Sequence, residues 1–228
     1  MVDAILIIDI SKDSVRAGVF SASKTDPLEY FSVPLSGPEA HAVTEGVKEG
    51  LSSVVSMVKG KGYGITRALA SIPASDMSIR IVTVPFEDRK KITEVLPFEL
   101  GGLLHIDVEH VVIDAIHIGE GKVLAVALEK ALLKDYLDAF HSLGIDPYWI
   151  GSGLFALPAL LNRIYPSSGI KAFINRDSLT ISEDGNIRFF KPVKRLEGIK
   201  LGLAYIDAEG IGINEVYFTG WRISSTSE

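Results

Sequence analysis

The chain opens on AILIIDISKDSVRAGVF, Ala4–Phe20, and then repeats the order that begins there. Ala4–Ile8 is an unbroken apolar run, the pattern of a strand buried on both faces. After a short polar turn, Val15, Ala17 and Val19 alternate with Arg16 and Gly18, as in a half-buried strand. Leu28–Pro34, behind the turn residues Asp26 and Pro27, reads as a third strand. A helix is expected over Glu39–Lys59, where Ala40, Val43, Val47, Leu51, Val54 and Val58 recur at three- and four-residue steps. Gly46 and Gly50 lower its intrinsic propensity, so packing must hold it, and Gly60, Gly62 and Gly64 end it. Arg67–Ile72 then reads as a strand. The same order returns late in the chain. Ile170–Ile174, Leu179–Ser182 and Ile187–Lys191 are three strands with Asp184–Gly185 as one tight turn, Leu196–Asp207 is a helix, and Glu215–Thr219 is a strand. A β-β-β-α-β unit occurring twice implies two related α/β lobes.

The middle of the chain breaks the repeat. Ser78–Pro85 alternates as a strand, and Asp88 is placed to cap a helix carrying Ile92, Val95 and Leu96 inward, with Pro97 expected to kink or end it. His110–Ile118 and Lys122–Leu128 form a hairpin around Gly119–Gly121. Ala131–Leu143 is a helix with Leu133, Tyr136, Leu137, Phe140 and Leu143 on one stripe, and Gly144 suits its C′ position. Asp146–Ile150 is a short strand, and Ser152 is the expected cap of a helix reaching about Arg163. The polar tail Arg222–Glu228 reads as disordered.

Composition narrows the function. At 228 residues with 47% hydrophobic and 23% charged side chains, this is an ordinary globular chain with room for a real core. A net charge of −6 argues against a nucleic-acid binder, which needs a basic face. The absence of cysteine excludes disulfides, thiol catalysis and thiolate metal sites. No apolar run approaches a membrane span, and Asp3 interrupts any signal-peptide pattern.

Isolated motifs carry little chemistry. Gly119–Lys122 reads GEGK, but Ile116 and Val123 stand where a phosphate loop needs Gly and Ser or Thr, so a hairpin turn is expected. Gly151–Ala156 matches G-x-G-x-x-A without a following βαβ unit and reads as a structural helix start. His41, His105, His110, His117 and His141 show no metal-ligand spacing. Arg89, Lys90 and Lys91 open a helix whose dipole disfavours positive charge at that end. They read as a solvated surface run or, with Glu94, as a surface for an acidic partner.

Two features converge on a family. The duplicated unit with Asp9 ending the first strand resembles the actin-like ATPase superfamily. Val84-Pro85-Phe86 leading to a helix with Pro97-Phe98-Glu99-Leu100 resembles the GspL/PilM family of type II secretion and type IV pilus assembly, and Lys122–Pro147 fits as well. The resemblance implies an α/β, actin-like fold: a first RNase H-like lobe at 1–73, an inserted α+β subdomain at 74–128, connecting elements at 129–165, and a second lobe at 166–221. It implies a cytoplasmic scaffold at the inner membrane, held there by partners or by a further C-terminal membrane segment. Its partners would be a GspE-type secretion ATPase or a PilN-like inner-membrane protein.

The family's nucleotide motifs are eroded in this sequence. The first phosphate motif resembles Asp9–Arg16, but Ser11 replaces a glycine and Asp13 adds a repelling charge, while Lys12 and Ser14 remain. Aligning Thr180 with the threonine of the second motif puts Ile174 and Arg176 where a carboxylate and a glycine are expected. The adenosine motif keeps Gly220 and then has Trp221. Asp9, Ser11, Lys12, Ser14, Arg176 and Gly220 thus outline a vestigial nucleotide cleft without a metal site, and the expectation is no catalysis and no bound ATP or Mg²⁺. An active actin-like ATPase or sugar-kinase-like enzyme is the competing reading. A self-associating structural protein is the third.

Overall fold

The computed structural model of the protein describes residues 3–23, 26–35, 43–175, 178–193, 200, 202, 204, 207–208 and 210–218. The elements are β1 (Asp3–Ile10), β2 (Ser14–Ser21), β3 (Pro27–Pro34), α1 (Glu45–Gly60), β4 (Gly64–Ser71), β5 (Met77–Thr83), α2 (Arg89–Leu100), β6 (Val111–Gly119), β7 (Lys122–Glu129) and α3 (Lys130–Ser142). They continue with β8 (Pro147–Gly151), α4 (Leu157–Ile164), β9 (Ile170–Ile174), β10 (Ser178–Glu183), β11 (Asn186–Pro192) and β12 (Glu215–Phe218). The chain forms two compact units. One comprises residues 1–77, 110–112 and 128–153, the other 78–109, 113–127 and 154–228.

The first unit holds a sheet of order β3-β2-β1-β4-β8. β1 runs antiparallel to β2, with Asp9 opposite Arg16, and parallel to β4. Ala4, Leu6, Ile8 and Ile10 are buried, whereas Ile5 and Ile7 on the other face keep partial exposure, so β1 is covered more fully on one face than its apolar run implies. α1 closes the crossover between β1 and β4. It starts later than the periodicity suggests: Thr44 caps it by accepting Val47 N–H at 3.4 Å, and Val43 lies outside the helix. Ala40 falls outside the described residues. Gly50 allows close approach, since a Cβ there would meet Val15 Cγ2 and Leu35 Cδ2 at 2.9 Å. α3 ends in a Schellman turn, in which Gly144 at φ +70° donates to the His141 carbonyl and Ile145 to that of Phe140. The α3 stripe is centred on Tyr136 and Phe140, both almost wholly buried.

The second unit repeats the first sheet's core order as β11-β10-β9-β12, with β9 parallel to β12 as β1 is to β4; the first sheet adds β8 parallel to β4. Asp184 and Gly185, at φ +50° and +83°, make the tight β10–β11 turn. Its core gathers Ala172, Ile174, Leu179, Ile181, Phe189 and Val193. Most of the expected helix Leu196–Asp207 and the whole tail Arg222–Glu228 lie outside the described residues, although Lys200, Gly202, Ala204 and Asp207 are helical. A three-stranded sheet, β5-β7-β6, packs against α2 through Val82, Val84, Ile92, Leu96, Leu100 and Val123.

Pro97 does not end α2, which continues to Leu100. Interior proline costs ~3 kcal/mol. Burying Ile92, Leu96 and Leu100 returns about 1.5–3 kcal/mol each, so packing wins. Ser152 does not cap α4 either. That helix starts at Leu157 after a short 3₁₀ turn, while Ser152 is buried and the adjoining Gly153 N–H donates to Ser71 Oγ at 2.9 Å.

The β6–β7 turn carries three consecutive left-handed residues, Gly119, Glu120 and Gly121, and the Gly121 carbonyl accepts Val84 N–H at 2.7 Å. Arg188 of β11 fixes this turn by donating to the Ile118 carbonyl at 3.0 Å while its Nε donates to Glu183 at 2.9 Å. A Cβ on Gly119 would sit 2.1 Å from Arg188 Nη1, at φ +90°. Gly119→Ala should therefore cost about 1–2 kcal/mol from backbone strain plus the displaced Arg188 bond. In an Arg188→Ala background the same substitution should cost measurably less, read as a coupling energy in a urea double-mutant cycle.

In the first unit, Tyr136 Oη donates to Asp76 Oδ2 at 2.6 Å, and burial, followed by the Asp76 charge, pushes the phenol above its ordinary range. A raised phenol pKa contributes stability below about pH 10 that is lost as pH rises further. Tyr136→Phe should lower stability at pH 7 by about 1.5–3 kcal/mol, the worth of a hydrogen bond to a charged group, and should flatten the alkaline limb of a pH–stability curve.

Candidate functional site

The β1–β2 turn begins where β1 ends, at the carboxyl end of a strand in a parallel pair, the position where α/β sheets present loops to ligands. Asp9, Ser11, Lys12 and Ser14 are brought together there. Ser11 N–H donates to the Ser14 carbonyl at 2.9 Å, which closes the turn. The Ser11 hydroxyl lies 2.9 Å from Asp13 Oδ1, 2.9 Å from the Ser14 carbonyl and 3.0 Å from Ser14 Oγ. Ser14 Oγ also donates to Asp13 Oδ1 at 3.0 Å. Arg16 sits 3.6 Å from Asp13 and 3.8 Å from Asp9.

The turn therefore carries its own anion. The hydrogen bond from Ser11, then that from Ser14 and the Arg16 charge, outweigh partial desolvation and hold the Asp13 carboxyl below the usual carboxylate range. Both hydroxyls and the guanidinium that could meet a phosphate are directed at that carboxylate. A second negative group brought there meets like-charge repulsion and finds the turn's first backbone N–H already used.

The β9–β10 turn repeats this closure. Asn175 N–H donates to the Ser178 carbonyl at 3.0 Å, and Ser178 N–H donates to Asn175 Oδ1 at 2.6 Å. Ser11 and Ser14 in the first repeat correspond to Asn175 and Ser178 in the second. Ile174, aligned with a carboxylate position, is a buried member of the second core, and Thr180 is buried in β10. Arg176 and Gly220 lie outside the described residues. Among the described residues no cluster of His, Asp or Glu could hold a metal ion. The GEGK segment is the β6–β7 turn, and Gly151–Gly153 is tied to β4 by Ile72 N–H donating to the Gly151 carbonyl at 2.7 Å.

α2 presents a different kind of surface. Asp88 caps it, accepting Lys91 N–H at 3.0 Å. Ile92, Leu96 and Leu100 face the core, and on the opposite side Lys90, Lys91, Glu94 and Phe98 are exposed. Arg89 pairs with Asp114 at 3.4 Å, and Lys91 lies over the Phe86 ring. Lys90 and Glu94 make no hydrogen bond or ion pair among the described residues. The first turn has no acidic residue and the last no basic one, the reverse of α1, which has Glu45 first and Lys59 last. Phe98 was the residue hidden from sequence reasoning. The PFEL motif puts it on a helix, but with Pro97 expected to kink or end that helix its face was left open.

Asp13→Asn should lower stability at pH 7 by no more than about 0.5–1 kcal/mol, since the side chain is 62% exposed and screened. The depressed carboxyl contributes above its unfolded pKa, so wild type and variant should converge as pH falls below about 3.9. Urea denaturation at pH 7 and pH 3 measures both.

Known proteins with this arrangement point one way. The family model for type II secretion system protein L matches residues 63–163. The type II secretion system protein L of Dickeya chrysanthemi is 24% identical over 140 residues, 60% of this chain and 33% of that protein, so the chain spans about a third of its curated relative. In fold, the cytoplasmic domain of EpsL, an inner-membrane component of the type II secretion system of Vibrio cholerae, is similar with TM-score 0.64 at 18% identity, over 99% of this chain and 87% of that one. A PilM–PilN type IV pilus biogenesis complex gives TM-score 0.71 at 16% identity, over 91% of this chain and 66% of that one. A Bacteroides thetaiotaomicron protein with an actin-like ATPase fold gives TM-score 0.57 at 14% identity, over 97% of this chain and 83% of that one. Through its middle the chain is similar in sequence to type II secretion system protein L, and along its length it has an actin-like fold similar to those of the EpsL cytoplasmic domain and PilM.

Proposed function

We propose that this chain is a non-catalytic scaffold of a type II secretion or type IV pilus machine, working on the cytoplasmic side of the inner membrane and recruiting the assembly ATPase or an inner-membrane protein. The observation that carries the reading is Asp13, whose carboxylate takes up the hydroxyls of Ser11 and Ser14 in the β1–β2 turn. Phosphoryl transfer depends on positioning and on neutralising charge, and this turn adds charge of the wrong sign. The buried Ile174 supports the same reading, because an aliphatic side chain there cannot organise Mg²⁺. The family is that of a secretion or pilus component. One relative is a cytoplasmic domain of an inner-membrane protein, and another is solved as a complex with PilN. No helix among the described residues is long and apolar enough to cross a membrane. Arg176 and Gly220, in this reading, are remnants of the motifs in the second repeat. The outward face of α2, with Arg89, Lys90, Lys91 and Glu94, is the proposed partner surface.

A ligand that binds the native state must raise its melting temperature. ATP with Mg²⁺ in millimolar excess should shift the melting temperature by less than about 1 °C and release no phosphate above background. A larger shift accompanied by phosphate release would establish an active actin-like ATPase and end the scaffold reading.

A further inference from the structure

We propose that Lys171 is a buried latch that fixes which face of α4 packs on the second sheet, against the face its apolar residues would choose. The proposal goes beyond the scaffold reading and stands apart from it. In α4, Leu157, Leu160, Leu161 and Ile164 fall at i, i+3, i+4 and i+7, the spacing of an inward-facing stripe. That stripe is not the face the sheet receives. Leu160 and Ile164 are 52% and 53% exposed, whereas Pro158, about a third of a turn away, is buried. Asn162, on the same side as Pro158, reaches the sheet, where its Oδ1 accepts from Lys171 Nζ at 2.9 Å. The helix is thus rotated off its apolar axis, and a polar contact goes with the rotation.

Lys171 lies on β9, is 1% exposed and is the one charged side chain among the buried polar residues described. Its second bond goes to the Tyr165 carbonyl at 3.2 Å, at the end of α4, where a cation suits the helix dipole. Glu215 stands opposite Lys171 in the β9–β12 register, but its carboxylate takes the Tyr217 hydroxyl, and α4 supplies the acceptors. The sheet face beneath is polar as well. Ser182 is paired with Lys171 and Thr180 with Phe173, and both are buried. Two aromatic pairs, Phe155 with Phe190 and Tyr165 with Tyr217, flank the contact. Leaving a buried ammonium without acceptors costs more than leaving two aliphatic side chains half exposed, so the latch wins over the stripe.

The chain has no cysteine, so one introduced thiol reports which face of α4 is outward. Ile164→Cys marks the stripe, and Ala159→Cys marks a position exposed before and after a roll of the helix. Both are labelled with a maleimide, with and without Lys171→Met/Asn162→Leu, which replaces the polar contact by apolar groups. In that background labelling of Ile164→Cys should slow by about fivefold or more, while Ala159→Cys keeps its rate. The melting temperature of Lys171→Met/Asn162→Leu should stay within about 3 °C of wild type or rise, because both partners are exchanged together. Asn162→Leu alone should lose about 4 °C or more by stranding the ammonium. Asn162→Asp keeps an acceptor in place and should leave the Ile164→Cys rate unchanged. Equal labelling of Ile164→Cys in both backgrounds would overturn the proposal, and so would an Asn162→Leu chain as stable as wild type. If Lys171→Met/Asn162→Leu does not fold, amide exchange in Asn162→Ala decides. Exchange across 160–165 about tenfold faster, with β9 and β10 unchanged, supports the latch, and an unchanged rate there defeats it.

Discussion

Both larger sheets share the order 3-2-1-4 with a parallel 1-4 pair, to which the first adds β8 parallel to β4, and everything distinctive in this chain follows from making the 1-4 pair twice. Antiparallel neighbours need only a hairpin, but β1 can reach β4 only through a long crossover. α1 supplies that crossover in the first unit, and Gly50 lets it settle on β2 against Val15. The crossover fixes which end of β1 opens into a loop. The β1–β2 turn is therefore held at a strand's carboxyl end whatever its sequence becomes, and the β9–β10 turn is held likewise. The actin-like fold is set by strand order, while the residues in the turns are not fixed by it.

What changed is electrostatic. A turn that binds phosphate leaves backbone N–H groups and hydroxyls pointing outward and carries no net negative charge. Here Ser11 N–H closes the turn on Ser14, and Ser11, Ser14 and Arg16 converge on Asp13. The second repeat closes its turn with the same backbone pair and uses the Asn175 amide where the first uses serine hydroxyls. Two turns, derived from one pattern, are satisfied by different side chains. The backbone closure is common to both repeats, whereas the buried Ser178 hydroxyl of the second makes no hydrogen bond among the described residues.

The strands were legible because period-two alternation and turn residues are local signals, and even the I′-like Asp184–Gly185 turn follows from two residues. The harder points all depended on groups distant in sequence. Thr44 starts α1 because its hydroxyl takes the Val47 N–H, whereas the apolar spacing alone extended the helix back to Glu39. Ser152 looked like a cap, yet the segment beside it is fastened to Ser71, 82 residues away. Pro97 looked like a kink or a stop, and the helix runs through it because of the cluster formed with Val82, Val84 and Val123. The loss of glycine at Ser11 was visible in the sequence, but the capture of both hydroxyls by Asp13 needed geometry.

That override of Pro97 also shapes the outward face of α2. A helix stopped at Leu96 would leave Phe98 in a loop, unrelated to Lys91 and Glu94. Continuing to Leu100 puts all three on one stripe, with Lys90 beside them. The same chain shows that it can order charges along a helix favourably, with Glu45 and Lys59 on α1 and His141 and Arg163 in the last turns of α3 and α4. α2 has no base in its last turn, and the acid at its start is the capping Asp88 rather than a first-turn residue. Locally unfavourable choices that the global packing tolerates are where function is expected to reside. In this protein the β1–β2 turn meets its polar groups through its own Asp13, and α2 holds two lysines in its first turn behind the capping carboxylate of Asp88.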